Sequence, residues 1–314
     1  MINLRLRLGV AAVALALTAG VSEAADPESC KTVRFSDVGW TDITATTAAT
    51  GVVLKALGYD TNVKILSVPV TYASLKNKDI DVFLGNWMPT MEGDIRPYLE
   101  DGSVESVGVN LEGAKYTLAV PQYTYEKGLT NFADIAKFKD DLDGKIYGIE
   151  PGNDGNRLII DMIDQNTFDL GDFEIVESSE QGMLAQVARA VKRNQDIVFL
   201  GWEPHPMNKF AIAYLDGGDE VFGPNYGGAT VYTNVRKGYL EECPNVAKLL
   251  KNLKFTLEME NEMMDAILNG GQEPSDAAAA WLKAQPATFE GWLNGVTTFD
   301  GGPAIPAVKE ALGL

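Results

Sequence analysis

The sequence predicts an α/β protein with mainly parallel sheets that are covered by helices. Short apolar runs typical of strands alternate with longer segments whose apolar residues recur every three or four positions, as on one face of a helix. The chain has 314 residues, so we expect about two domains of ordinary size. Hydrophobic residues make up 46% of it and charged residues 22%, as in a folded globular protein.

The predicted elements alternate along the chain. A strand at 33–38 leads through Gly39 into a helix whose small and apolar residues lie between 45 and 57, and Gly58 ends that helix. The remaining predicted elements are strands at 63–68, 80–84, 116–120, 145–149 and 197–200, and helices at 157–163, 183–193 and 258–267.

The first 24 residues have the pattern of an export signal. Arg5 and Arg7 precede an apolar run over 8–17, and Ser22 and Ala24 are small residues of the kind that a signal peptidase reads. The run is shorter than the roughly 20 residues that span a bilayer. We expect cleavage after Ala24 and a mature periplasmic protein that is free in solution.

The net charge indicates which partners the protein can have, and the cysteine content indicates its cellular compartment. With 26 Lys and Arg against 44 Asp and Glu, the net charge is −18, which would repel the phosphate backbone of a nucleic acid. We therefore expect no nucleic-acid partner. Cys30 and Cys243 form an even pair, which predicts one disulfide in an oxidising compartment; two unpaired buried thiols are the alternative.

One motif that ends in tryptophan and proline occurs twice. It reads DIDVFLGNWMP at 79–89 and DIVFLGWEP at 196–204, so that Trp87 and Trp202 each follow a predicted strand. Ligands of open α/β sheets bind outside the carboxyl ends of strands, which places both tryptophans at a crevice. Trp40 follows the first strand and is the third candidate. The alternative is that the three rings only cap the cores of the sheets.

Aromatic side chains at such a crevice suit a cation. The negative face of each ring attracts positive charge, and a quaternary ammonium group does not need the hydrogen-bond acceptors that a primary amine would require. Each desolvated contact contributes roughly 2 kcal/mol. The three tryptophans therefore predict that a methylated amine is bound.

The sequence contains few features that indicate a catalytic site. The chain has a single histidine, His205, and no G-x-S-x-G, H-E-x-x-H or EF-hand motif. The glycine-rich loop at 151–156 lacks a Walker lysine and is interpreted as a tight turn. We expect no catalytic residue, no cofactor and no metal.

With these motifs, the chain resembles the substrate-binding proteins of quaternary-amine (choline and glycine betaine) ABC importers. The resemblance rests on GWTD at 39–42, the two tryptophan motifs and the tail GVTTFDG at 295–301, and it covers essentially all of the mature chain. It implies a periplasmic two-lobe fold of type II-like architecture with a cleft between the lobes. The implied first lobe comprises 25–114 and 229–314, and the second comprises 115–228.

The resemblance also implies which side chains bind the ligand. The cage around a trimethylammonium group would consist of Trp40, Trp87, Tyr116 and Trp202. Asp42 and Asn153 would bind the choline hydroxyl, and the assignment of Asn153 rests on its glycine-rich loop. A helix N-cap is the alternative role for Asp42.

Asp42 favours choline over betaine, because betaine would bring a carboxylate next to this carboxylate in a poorly hydrated cleft. The sequence therefore predicts a monomeric receptor that closes by hinge motion on choline, or more weakly on acetylcholine, and delivers it to a membrane permease. The alternatives are a receptor for glycine betaine or proline betaine, an exported hydrolase of choline esters with His205 or Asp154 as base, and a scaffold with buried tryptophans.

Overall fold

The computed structural model describes residues 26–314, and the export signal expected over 1–24 lies outside them. The described chain is α/β, with one nine-stranded sheet in the order β2-β1-β3-β9-β4-β7-β5-β6 and with β8 beside β4. The strands are β1 (Thr32–Asp37), β2 (Asp60–Ile65), β3 (Val82–Met88), β4 (Val104–Pro121), β5 (Lys145–Tyr147), β6 (Glu174–Val176), β7 (Phe199–Glu203), β8 (Ile212–Tyr214) and β9 (Gly228–Arg236).

Helices cover the sheet and fill the connections between its strands. They are α1 (Thr41–Ala56), α2 (Val68–Asn77), α3 (Glu92–Glu100), α4 (Gln122–Glu126), α5 (Asp154–Asp164), α6 (Glu180–Arg193), α7 (Asp219–Phe222), α8 (Pro224–Gly227), α9 (Tyr239–Glu242), α10 (Pro244–Asn252), α11 (Leu257–Leu268), α12 (Pro274–Ala284), α13 (Pro286–Trp292) and α14 (Ala304–Leu312). Between 26 and 314, no helix combines the length and the apolar character that a membrane crossing requires.

The sheet is parallel on both flanks and antiparallel in its centre. On one flank β1 pairs in parallel with β2 and β3, and on the other β5 pairs in parallel with β6 and β7. In the centre, β4 and β9 are antiparallel to each other and to their neighbours β7 and β3. The α/β class is confirmed, but the prediction of mainly parallel sheets is wrong for the centre. There β4 carries the chain from one flank to the other and β9 carries it back, so the two strands run in opposite directions.

The strands that bear Trp87 and Trp202 are longer than predicted. The predicted strands ended at 84 and 200, whereas β3 continues to Met88 and β7 to Glu203. Antiparallel partners cause the extension, because Trp87 pairs with Val231 of β9 and Trp202 pairs with Tyr116 of β4. Both tryptophans therefore lie inside the carboxyl-terminal parts of their strands and not beyond them.

Helix α5 begins at Asp154, three residues before the predicted helix at 157. Asn153 occupies the N-cap position, and its Oδ1 accepts the N–H of Asn156 at 3.1 Å. Such a cap satisfies a backbone donor of the first turn, which has no partner within the helix. The tight turn expected in this loop is confined to the two residues at 151 and 152.

The predicted disulfide is present. Cys30 and Cys243 are bonded, with a Cα–Cα distance of 5.7 Å, and both residues are buried. Asp26 reinforces the same junction, because its carboxylate accepts the N–H groups of Asn245 at 2.7 Å and Val246 at 3.0 Å in the first turn of α10. These contacts attach the segment before β1 to the last third of the chain.

The topology positions the two predicted lobe boundaries within the central strands. β1, β2 and β3 lie in the expected first lobe, and β5 to β8 lie in the second. β4 spans the boundary at 114/115 and β9 spans the boundary at 228/229. The division into lobes stays a prediction.

Candidate functional site

Side chains from both flanks of the sheet and from its centre enclose a small cavity. The empty space within it, including the part that is open to solvent, is about 260 Å³. Four aromatic, two acidic and one aliphatic side chain form its wall, namely Trp40, Asp42, Trp87, Tyr116, Ile149, Asp154 and Trp202. Five of the six side chains expected at the ligand thus share one cavity. The three tryptophans are not scattered through separate cores.

Tyr116 connects the aromatic wall. Its ring centroid lies 6.1 Å from that of Trp87 and 6.2 Å from that of Trp202, both in edge-to-face geometry. Tyr116 and Trp202 are directly opposite in the pairing of β4 with β7, which fixes their separation. A cavity walled by such rings offers π-electron density to a positively charged guest.

Trp40 reaches the cavity from the start of α1. Gly39, at φ +84°, turns the chain between β1 and this helix, a conformation that favours glycine. The indole Nε1–H of Trp40 donates to Glu150 Oε1 at 2.7 Å, on the loop after β5. Burial raises the pKa of Glu150 to about 7, and the hydrogen bond from Trp40 opposes that shift. The bond fixes the indole and links the two flanks across the cavity.

Three polar atoms of the cavity wall have no hydrogen-bond partner within residues 26–314: Trp87 Nε1, Asp42 Oδ1 and Asp154 Oδ2. Each parent residue is at most 4% exposed. Buried polar atoms are normally paired, because an unpaired one loses its hydration without compensation. One donor and two acceptors are therefore available to a bound molecule.

Asp42 lies in the first turn of α1 and is 1% exposed. Trp40 occupies the N-cap position of that helix, so the alternative role of Asp42 as N-cap residue is wrong. Burial raises the pKa of Asp42 to about 8, and the charges of Glu180 and Asp37 act in the same direction. A cation in the cavity would favour the ionised carboxylate and so oppose these effects.

Asn153 lies beside the cavity and is not part of its wall. Its Oδ1 accepts the Tyr116 hydroxyl at 2.8 Å, and its Nδ2 donates to Asp154 Oδ1 at 3.1 Å. Asn153 thus touches two wall residues while it caps α5. Its predicted contact with a ligand hydroxyl stays a prediction.

Two wall residues, Asp154 and Ile149, were not predicted from the sequence to line the site, and Asp154 was considered only as a base for hydrolysis. Burial raises the pKa of Asp154 to about 6, and the negative charge of Asp94 acts in the same direction. The available signal was its position directly after Asn153, at the start of the helix that follows the glycine-rich loop. Ile149, at the end of the predicted fifth strand, carried no signal beyond its apolar side chain.

His205 is buried close to the cavity but both of its ring nitrogens are occupied. Nδ1 accepts the N–H of Met207 at 2.9 Å, which leaves Nε2–H to donate to Glu180 Oε1 at 2.9 Å. Glu180 in turn accepts the backbone N–H and the hydroxyl of Thr41, each at 2.7 Å. The imidazole has no free nitrogen in this arrangement, which argues against its use as a base on a ligand.

The described residues offer little for a metal. Their one cluster of potential ligands comprises Cys30, Glu242 and Cys243, and the two sulfur atoms in it are bonded to each other.

Comparison with known proteins shows that this chain is similar to transport proteins. Residues 31–284 match the family described as the substrate binding domain of ABC-type glycine betaine transport systems. The chain is 71% identical to an ABC-transporter choline-binding protein solved in complex with choline, with a TM-score of 0.91, over 92% of this chain and 100% of that one.

Two further solved structures show other states and ligands. An unliganded, semi-closed ABC-transporter choline-binding protein is 71% identical, with a TM-score of 0.84, over 91% of this chain and 100% of that one. The lactococcal protein OpuAC, closed around glycine betaine, is 28% identical, with a TM-score of 0.75, over 83% of this chain and 98% of that one.

Proposed function

Because the chain belongs to the family of substrate-binding domains of ABC-type glycine betaine transport systems, we propose that it captures choline in its aromatic cavity and delivers it to the permease of an importer. The observation that carries this proposal is the cavity itself. Four aromatic side chains and two carboxyl groups meet there, and each carboxyl group has one oxygen without a partner among the described residues.

The wall chemistry supports a quaternary ammonium headgroup. Several rings, each contributing roughly 2 kcal/mol to a desolvated cation, outweigh a surface ion pair of about 1 kcal/mol or less. Choline has about seven heavy atoms, and a ceiling near −1.5 kcal/mol per atom gives roughly −10 kcal/mol. A dissociation constant in the micromolar range or below is therefore attainable.

Choline is favoured over glycine betaine by the two buried carboxyl groups. The carboxylate of betaine would be a third acidic group in a water-poor cavity that already holds Asp42 and Asp154. The choline hydroxyl can instead donate a hydrogen bond to a free carboxylate oxygen. The 71% identity to a choline complex, against 28% to a betaine complex, supports the same ligand. Acetylcholine, which lacks the hydroxyl donor, would bind more weakly.

Hinge closure would bring the two predicted lobes together around the ligand. Contacts of the described chain that link these lobes include Thr41 with Glu180, Trp40 with Glu150 at 2.7 Å, and Arg157 with Asp94 at 2.9 Å. The higher TM-score to the choline complex, 0.91 against 0.84 for the unliganded semi-closed form, supports a closed arrangement. A ligand that contacts both lobes shifts the equilibrium toward closure by its preference for the closed state.

The cellular setting follows from the export pattern of residues 1–24 and from the disulfide. We place the mature protein in the periplasm, as a monomer that meets its permease at the membrane. No catalytic step belongs to this role, and the occupied ring nitrogens of His205 speak against the hydrolase alternative.

Calorimetric titration of the purified mature protein with choline, acetylcholine and glycine betaine tests the proposal. We expect a dissociation constant for choline in the micromolar range or below and much weaker binding of betaine. Clear binding of betaine without binding of choline would favour the betaine receptor instead. Absence of binding for all three, with unchanged tryptophan fluorescence, would favour the scaffold with buried tryptophans.

A further inference from the structure

We propose that Asp154 is a second anionic recognition group of the cavity, which faces the ammonium charge and selects ligands with a net positive charge over zwitterions. This inference rests on the proposed function and assigns distinct tasks to the two carboxyl groups. Asp42 would accept the ligand hydroxyl, and Asp154 would provide the charge that balances the headgroup.

Asp154 lies in the cavity wall with one carboxylate oxygen free. The residue lines the cavity, is 1% exposed, and has no hydrogen-bond partner for Oδ2 among the described residues. Its other oxygen, Oδ1, accepts Asn153 Nδ2 at 3.1 Å. One side of the carboxyl group is thus anchored, and the other is available to a guest.

The structural needs of α5 do not account for this carboxyl group. An acidic side chain in the first turn commonly complements the helix dipole, or it caps the turn. Here Asn153 provides the cap. Arg157 on the same helix directs its guanidinium to Asp94 Oδ2 and to the carbonyl oxygen of Thr90, both at 2.9 Å. No ion pair of the described chain includes Asp154, although the positive charge of Arg157 lowers its pKa.

Asp154 is next to the aromatic cage. A Cβ added at the neighbouring Gly155 would overlap the hydroxyl oxygen of Tyr116, so the backbone here packs directly against that phenol. Only a residue without a side chain allows such an approach. Burial, and next the charge of Asp154, raise the pKa of Tyr116 well above its ordinary value. The carboxyl group therefore lies beside the cage.

The chemistry of choline separates the two carboxyl groups. Its one hydroxyl can donate a single hydrogen bond, so it cannot satisfy both Asp42 and Asp154. The trimethylammonium group donates no conventional hydrogen bond, but its charge attracts a carboxylate without requiring one. A zwitterion gains the same attraction at its ammonium end and loses it through repulsion at its carboxylate. The chemical class expected here is a quaternary ammonium monocation.

Tetramethylammonium distinguishes the two tasks, because it keeps the charge and lacks the hydroxyl. We would measure choline and tetramethylammonium affinities for the unaltered protein and for Asp154→Asn, Asp42→Asn and the charge-matched control Asp172→Asn. Asp172 is exposed and pairs with Lys139 outside the cavity. We expect Asp154→Asn to weaken both ligands by a similar factor of about tenfold or more. Asp42→Asn should weaken choline more than tetramethylammonium, and the control should change neither.

Two outcomes would overturn the inference. If Asp154→Asn leaves tetramethylammonium affinity unchanged while the unaltered protein binds choline, Asp154 does not face the charge and the proposed function stands. If the unaltered protein binds neither cation, the proposed function fails and this inference fails with it. Asp154→Ser, checked for folding by thermal unfolding, repeats the test if the asparagine variant does not fold. The same uniform loss is expected from it.

Discussion

Two indole rings of the cavity are held in place by neighbouring side chains, which prepares them to receive a ligand. Trp202 is paired with Tyr116 across the central strands, and its ring centroid lies 4.7 Å from that of His205. Trp40 is fixed through Nε1 by Glu150. Rings that are already ordered lose little conformational freedom when a ligand arrives, so more of the interaction energy remains for affinity.

Replacing Trp202 by alanine should weaken choline binding at least tenfold. A desolvated cation–π contact of about 2 kcal/mol exceeds the 1.4 kcal/mol that corresponds to a factor of ten. Calorimetric titration measures the change. Trp281→Ala is the matched control, because Trp281 lies on α12 outside the cavity wall and donates to Glu262. Equal affinities of Trp202→Ala and the unaltered protein would remove this ring from the site.

Replacing Asp42 by alanine tests selectivity between choline and betaine. Choline affinity should fall because an acceptor for its hydroxyl is lost, and betaine should gain because one repulsive group is gone. The ratio of the two dissociation constants, measured in parallel titrations, should therefore move toward one. An unchanged ratio would show that Asp42 does not discriminate between these ligands.

Choline affinity should rise with pH between about 5 and 9. Burial raises the pKa of Asp154 to about 6 and that of Asp42 to about 8, and a bound cation favours the ionised form of both. The groups that add negative charge around Asp42 are Glu180 and Asp37. Around Asp154, Asp94 adds negative charge and Arg157 adds positive charge. Titration at pH 7 in buffers of different ionisation enthalpy should detect proton release on binding. An affinity that is independent of pH would contradict this coupling.

Asp42 and Asp154 also determine how the stability of the ligand-free protein changes with pH. Their folded-state pKa values lie above the ordinary value of 3.8. Their contribution to stability is therefore complete below about pH 4 and is lost as the pH rises through about 6 and about 8. Asp42→Asn should flatten this dependence in thermal unfolding scans, since the amide does not ionise.

At the residue scale, the sequence predicted the kinds of side chain that line the cavity better than it predicted the complete set of residues. A repeated motif placed Trp87 and Trp202 after strands, and Trp40 follows the first predicted strand. Asp42 was assigned only through the resemblance to a known family. Asp154 could not be predicted, since an acidic residue after an N-cap asparagine is common at helix starts and only the fold turns it toward the cavity.

At the scale of elements, the long central strands set the register of the cage. β4 has 18 residues and places Tyr116 opposite Trp202. The pairing of β3 with β9 extends as far as Met88, so Trp87 lies within a paired part of β3. Only the apolar end of β4, at 116–120, was predicted from the sequence. Its remainder is partly exposed and pairs with β9, which lies more than a hundred residues away in the chain. Local patterns cannot reveal such pairing.

The disulfide between the segment before β1 and the start of α10 should contribute to stability and not to binding. The bridge joins residues 213 positions apart, and chain entropy gives a loss on the order of 5 kcal/mol when it is removed, as an upper bound. Denaturant unfolding of the double variant Cys30→Ala, Cys243→Ala measures the loss. Choline affinity at low temperature should stay within about twofold, because neither cysteine lines the cavity. A large loss of affinity in the folded variant would contradict the separation of the two roles.

At the scale of the whole molecule, the sheet topology brings the cavity residues together from separate parts of the chain. Trp40, Asp42 and Trp87 come from one flank, while Asp154 and Trp202 come from the other, and Tyr116 lies on a connecting strand. The α/β class followed from the alternation of elements. The single sheet with an antiparallel centre did not, because it depends on how two distant crossings of the chain pair with each other.

The charge of the whole protein also favours a cationic ligand. The net charge of −18 attracts cations over the whole surface, and the cavity concentrates carboxyl groups where water is largely excluded. A receptor of this charge gathers a monocation more readily than a zwitterion, before any specific contact forms.

A crystal structure of the protein with choline tests the central claim most directly. We predict that the ammonium nitrogen lies within about 6 Å of the ring centroids of Trp40, Trp87, Tyr116 and Trp202, as cation–π attraction requires. The hydroxyl should lie within hydrogen-bond distance of Asp42. Choline bound at another place, or a cavity that stays empty at saturating choline, would contradict the account.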